Sequence, residues 1–199
     1  RIRQEVSAIH ESARLILWIE NKMNELVDSG HIDERFSPPH SSLHSGIIKG
    51  GIAHNVISDK ADFVWDVRNI PMDKVSDIRA AFDAHCAEHE EKLSKVFPEF
   101  KITTEVHHPP VPPLDTTLDQ EIVPWIQQLS GNSELGTVSY AAEAGQFAEG
   151  GFQAVICGPG SIEQAHRANE FIAIEQLEKG VEMIEKLIRQ MAGMKAEMA

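Results

Sequence analysis

Cysteine is nearly absent. The chain has two in 199 residues, Cys86 and Cys157, far apart and in no metal-binding or redox spacing. A disulfide framework is therefore not expected, and both residues read as buried small apolar side chains in a reducing, cytoplasmic compartment. Basic residues are also few: 18 Lys and Arg stand against 31 Asp and Glu, for a net charge of -13. That balance argues against a nucleic-acid or anionic-membrane surface, which needs clustered cations. The acidity itself marks solubility and points to no activity. No apolar run approaches the roughly 20 residues of a membrane-spanning helix. The opening residues do not read as a secretory signal, and there is no repeat or low-complexity tract.

What remains is ordinary globular material, 42% apolar and 25% charged, enough for one large domain or two small ones. The sequence opens without Met and is already helical by Val6, so it reads as part of a longer one. Val6, Ile9, Ala13, Ile16, Met23 and Val27 recur at helical spacing up to Ser29-Gly30. After a loop punctuated by Pro38-Pro39, Ser42 to Ile48 reads as a strand, and Lys49-Gly50-Gly51 follows it. Asp62 to Asn69 alternates, with Phe63, Trp65 and Val67 on one side. Val75, Ile78, Phe82 and Cys86 mark a helix that runs to Pro98, and Phe100 to Val106 alternates again. Helix, strand, strand, helix, strand is a ferredoxin-like βαββαβ unit without its first strand.

His107-His108-Pro109-Pro110-Val111-Pro112-Pro113 ends that pattern. Such a run cannot join a sheet ladder and forms a stiff connector. The boundary falls here, giving domains 1–108 and 109–199. Adjacent histidines on an extended segment point apart, so the pair reads as solvated.

The second part alternates helix and strand. Thr116 with Asp119 resembles a capping box ahead of Leu118, Ile122, Ile126 and Leu129, and Gly131 suits the C-terminus. Leu135 to Tyr140 and Phe152 to Cys157 read as strands, the latter buried on both faces. Ala141 to Ala148 reads as helical. A last helix would turn Ile174, Leu177, Val181, Ile184, Ile188 and Met191 inward. Two strands are few for an independent sheet, so this part reads as the closing piece of a larger α/β layer.

Several short runs share an order and spacing: Gly50-Gly51-Ile52-Ala53-His54-Asn55, Asp66-Val67-Arg68, Ala142-Glu143-Ala144, and Cys157-Gly158-Pro159-Gly160-Ser161-Ile162-Glu163-Gln164-Ala165-His166 with Asn169-Glu170. Together they resemble the dinuclear zinc peptidase family of aminoacylases, acetylornithine deacetylases and succinyl-diaminopimelate desuccinylases, the acetylornithine deacetylase branch above all. The match spans nearly the whole chain but only the later half of the family's sequence. One departure is local: Asn55-Val56-Ile57 leads to Ser58, where the family usually has Pro.

The resemblance implies a lid domain that mediates homodimerisation, followed by the C-terminal part of a zinc-peptidase catalytic domain. It implies metal-dependent hydrolysis of the amide of an N-acyl amino acid, foremost N-acetylornithine to ornithine and acetate. Two Zn²⁺ (or Co²⁺) ions per complete subunit would act with a general base lying upstream of this chain, so the chain alone is expected to be inactive. A non-catalytic dimerisation module and a related amidohydrolase such as a desuccinylase are the other readings.

By the same resemblance His166 is a metal ligand; without it, His166 is a loop imidazole. Asn55, Arg68, Glu143 and Gly158 are the implied substrate-binding residues. Asn55 also suits a turn after Gly50-Gly51. Arg68 suits either a cross-strand ion pair or a substrate carboxylate. Glu143 suits solvent as well as a pocket wall. Gly158 suits either close substrate approach or a turn that needs positive φ.

Overall fold

The structure is a computed structural model that describes residues 4–138, 140, 142–165 and 167–197. The chain forms two compact units, residues 1–113 with 136–141, and residues 114–135 with 142–199.

The first unit packs two helices against a hairpin. Helix α1, Ala8–Asp28, starts after an extended Ser7 whose side chain makes no capping bond. Its Ala8 N–H, one of the orphan donors of a helix start, donates instead to the Ser58 carbonyl at 2.8 Å. Strands β1, Ser42–Gly50, and β2, Ala61–Arg68, pair antiparallel. The rungs run from Ser42↔Arg68 to Gly50↔Ala61, and the register shifts between Ser45 and Ile47. Gly46 is thus the extra residue of a bulge that divides the ladder into two halves. Helix α2, Val75–Ser94, follows the Pro71 turn.

Leu15, Ile19, Leu43, Ile78, Phe82 and Cys86 form the core, flanked by Trp18, Phe63, Trp65 and Val67. The Trp65 and Trp18 rings lie 4.9 and 5.5 Å from Phe82. Burying an aromatic side chain of this kind contributes roughly 2–3 kcal/mol. The expected α2 face is buried at Ile78, Phe82 and Cys86, but the helix ends at Ser94, short of Pro98, and Val96, expected to continue that face, is exposed. On α1 the face is rotated: Ser12, Leu15 and Ile19 are buried, while Ala13 is exposed and Ile9 lies at the margin. Leu15 and Ile19, four apart, meet α2 and the hairpin, and Trp18 beside them covers Phe82.

Phe100 to Val106 is not a strand. Ile102 still packs against the core, and its N–H goes to the Glu90 carboxylate at 2.7 Å. In a βαββαβ sheet the last strand ladders with the first, and no strand precedes α1 among the described residues. Backbone amides without a ladder turn to side chains.

The second unit contains helices α3, Ile122–Ser130, α4, Ala144–Glu149, and α5, Ile174–Glu197, with a short 3₁₀ turn at Ile162–Gln164. Gly131, at φ 70°, ends α3 as expected. The Thr116 capping box does not form: the Thr116 hydroxyl donates to the Ala154 carbonyl at 2.5 Å, and Asp119 is held by Thr117. Neither 135–140 nor 152–157 forms a strand among the described residues. A doubly buried strand needs a neighbour on each side, and the described residues of this unit contain none. Phe152 and Ile156 are exposed, and so is Cys157, which was expected inside.

The same lack corrects α5. Its expected inward stripe, Ile174 through Met191, is exposed. The packed face carries Gly180 against Pro159, Met183 against Cys157, and Gln190, whose side-chain oxygen accepts from Trp125 Nε1 at 2.9 Å.

Candidate functional site

The hairpin presents its polar side to solvent because β2 alternates. Phe63, Trp65 and Val67 go to the core, and Asp62, Val64, Asp66 and Arg68 go outward. Cross-strand pairing sets His44 opposite Asp66 and Lys49 opposite Asp62. Asp66 stands between His44, whose Nδ1 lies at 3.8 Å, and the Arg68 guanidinium, whose Nε lies at 3.6 Å. These side chains are 55–73% exposed, so the contacts are loose and solvated. The Arg68 fork keeps donors available for an anion.

Asn55 is exposed in the loop that joins the strands. Two glycines build the loop's entry. A Cβ on Gly50 would stand 2.8 Å from the Ala61 Cβ, and Gly51 adopts φ +74° against Ile9. Ser58, at the position of the departure from the family pattern, is buried. Its hydroxyl donates to the Lys60 carbonyl at 2.7 Å, and its own carbonyl receives the start of α1. The loop is thereby tied to the Gly50/Ala61 end of the hairpin. Arg68 sits at the other end, seven strand steps from Ala61, roughly 23 Å at the usual rise. The structure brings both residues onto one hairpin but places them at opposite ends.

In the second unit, Glu143 precedes α4 with its side chain exposed and makes no side-chain cap. Its carbonyl accepts from Gln146 N at 3.0 Å. Gly158 is exposed, and an added Cβ there would meet nothing within 4 Å. Positive φ does not explain it; the turn's left-handed residue is Gly160, at φ +103°. Ser161 caps the 3₁₀ turn, accepting from Glu163 N at 3.3 Å. His166 lies outside the described residues. Among the described residues, no group of three or more His, Cys, Asp or Glu could hold a metal ion. The chain's described donors therefore do not by themselves make a zinc site.

Sequence reasoning missed one buried polar cluster. The Asp73 carboxylate, 2% exposed, accepts from the Ser41 hydroxyl through one oxygen and meets His31 Nδ1 through the other. Ser41 Oγ in turn accepts from Ile70 N at 3.0 Å, and Asn69 Nδ2 donates to the Asp73 carbonyl at 2.8 Å. Only the Asp73 position, just ahead of a helix, is a local signal, and it suggests a cap. A second pair joins α1 to α2: Glu11 Oε2 and His89 Nε2 lie 2.6 Å apart.

No helix among the described residues is long and apolar enough to cross a membrane. The peptidase dimerisation domain family matches residues 3–94. An acetylornithine deacetylase of Myxococcus xanthus is 30% identical over 190 residues, 94% of this chain and 47% of that protein. Those of Pasteurella multocida (26%; 93% of this chain, 46% of that protein) and Aliivibrio salmonicida (30%; 92% and 46%) are similar in the same way. The chain thus spans about half the length of the curated relatives it matches. Residues 3–94, just under half of the chain, are thus similar to the M20 peptidase dimerisation domain.

Proposed function

We propose that this chain supplies the homodimerising lid and the closing catalytic segment of a cytoplasmic, metal-dependent amidohydrolase, and that its substrate is an N-acyl amino acid, foremost N-acetylornithine. The supporting observation is similarity along 94% of the chain to a protein named acetylornithine deacetylase.

In this reading the exposed Arg68 fork takes the substrate α-carboxylate in two parallel charge-assisted hydrogen bonds. The Asn55 amide donates to the oxyanion that develops on the scissile carbonyl. Gly158, with open space where a side chain would be, lets substrate approach the backbone, and Glu143 lines the pocket beside it. His166 is one imidazole donor to two zinc (or cobalt) ions, and the remaining donors and the general base come from outside these residues. When bound, the metal pair supplies an activated water.

The hairpin adds a constraint. Asn55 and Arg68 belong to opposite ends of a ladder longer than an acyl amino acid. In this reading one comes from each of two subunits, which gives the dimerisation domain a catalytic purpose.

A panel of N-acetyl, N-succinyl and N-acyl amino acids, offered to the complete zinc-loaded enzyme, tests the substrate assignment. N-acetylornithine is expected to give the highest kcat/KM. Preference for a succinylated diamine would move the protein to the desuccinylases, and no hydrolysis of any member would leave only a dimerisation module.

A further inference from the structure

The buried cluster around Asp73 sits directly behind the ladder end that carries Arg68. Ser41 precedes Ser42, the partner of Arg68 across the last rung, and Ile70 and Asn69 follow Arg68. Ser41 Oγ takes the Ile70 N–H, and Asp73 takes the Ser41 hydroxyl. One carboxylate therefore ties the chain just before β1 to the chain just after β2. Its other oxygen meets His31, which follows α1, so the same group also anchors the loop leading into β1.

An acid buried to this degree is costly unless its oxygens are satisfied. Here both oxygens have partners, which makes the cluster a stiff fixture. The bulge at Gly46 confines its effect: 42–45 with 65–68 form one half-ladder, and 47–50 with 61–64 form the other. Among the described residues, Arg68 has only the loose contact to Asp66 to orient its side chain. The direction in which its guanidinium is presented therefore depends on its backbone.

We propose that Asp73 is a positioning residue for Arg68: by holding Ser41 and His31, it fixes the half-ladder on which the guanidinium is presented. This rests on the reading of Arg68 as the contact for the substrate carboxylate. Asp73 touches no substrate. It acts through Ser41, whose Oγ takes the Ile70 N–H, and through His31.

Two measurements test the proposal. Hydrogen exchange of Asp73→Asn and Ser41→Ala in this chain should accelerate about tenfold at the amides of 42–45 and 65–68, with little change at 47–50 and 61–64. Ser41→Ala is the milder change and serves if Asp73→Asn does not fold. In the complete enzyme, both variants should raise KM about tenfold for a substrate with a free α-carboxylate, with kcat nearly unchanged, and should spare an amide analogue. Equal acceleration in both half-ladders, or in neither, overturns the proposal. So does a local exchange effect without a carboxylate-specific rise in KM, when Arg68→Lys does discriminate the two substrates. If Arg68→Lys fails to discriminate them while exchange is accelerated locally, the reading of Arg68 falls and the anchoring of the half-ladder stands.

Discussion

Arg68 faces Ser42 across the terminal rung of the hairpin, at the end opposite the loop that carries Asn55. Exposure and a loosely held ion pair with Asp66 leave its planar fork ready for a second anion.

Replacing Arg68 with Lys in the complete enzyme keeps the charge and loses the bidentate geometry. The expected loss is about 1.5–3 kcal/mol in kcat/KM for substrates with a free α-carboxylate, the range for a hydrogen bond to a charged group. An amide or ester analogue lacking that carboxylate should be nearly unaffected. Steady-state kinetics on the two substrates check this; an equal loss on both would assign Arg68 to holding the hairpin.

The two cysteines should differ in reactivity. Cys86 is buried in the core, and burial, with Asp83 and Glu90 nearby, pushes its thiol up to about 11. Cys157 is exposed. Because the thiolate is the nucleophile, iodoacetamide at pH 8 should modify Cys157 and spare Cys86 until the chain is unfolded. Mass spectrometry of the peptides reads the outcome directly.

His85 stacks on Trp18, with ring centroids 5.2 Å apart. Partial burial, then the neighbouring His89, lowers its pKa below the ordinary histidine value of 6.5. The folded state therefore binds this proton less readily than the unfolded chain, and the sign follows. The His85 contribution to stability is fully present above about pH 6.5. It is lost as pH falls from that value through the lower folded-state pKa, because the unfolded state takes up the proton first. Thermal melts at pH 7.5 and 5.5 should show a decrease that is smaller in His85→Gln.

Much of the first unit was legible from periodicity. The alternation of Phe63, Trp65 and Val67 and the spacing of Ile78, Phe82 and Cys86 are local signals, and they match the buried faces. Phe100 to Val106 alternates as well but forms no strand, because a ladder needs a partner that periodicity does not report. Phe152 to Cys157 and the apolar stripe of α5 fail for the same reason: their apolar character is a statement about neighbours, and the described residues of this unit supply too few. The Asp73 cluster was illegible because His31 and Ser41 lie 42 and 32 residues away in sequence. Among the site residues, the glycine signal of Gly50-Gly51 was readable, since a Cβ at Gly50 has no room. The separation of Asn55 from Arg68 was not, because it depends on strand pairing.

That separation is tested most directly by mixing subunits of the complete enzyme. Asn55→Ala and Arg68→Ala homodimers should each be nearly inactive. After the two are unfolded together and reassembled, half the dimers are mixed, and each mixed dimer has one site with both residues intact. Activity should return to about one quarter of the wild-type value. If the mixture stays as inactive as its components, Asn55 and Arg68 serve the same site from one subunit, and the two-subunit site is wrong.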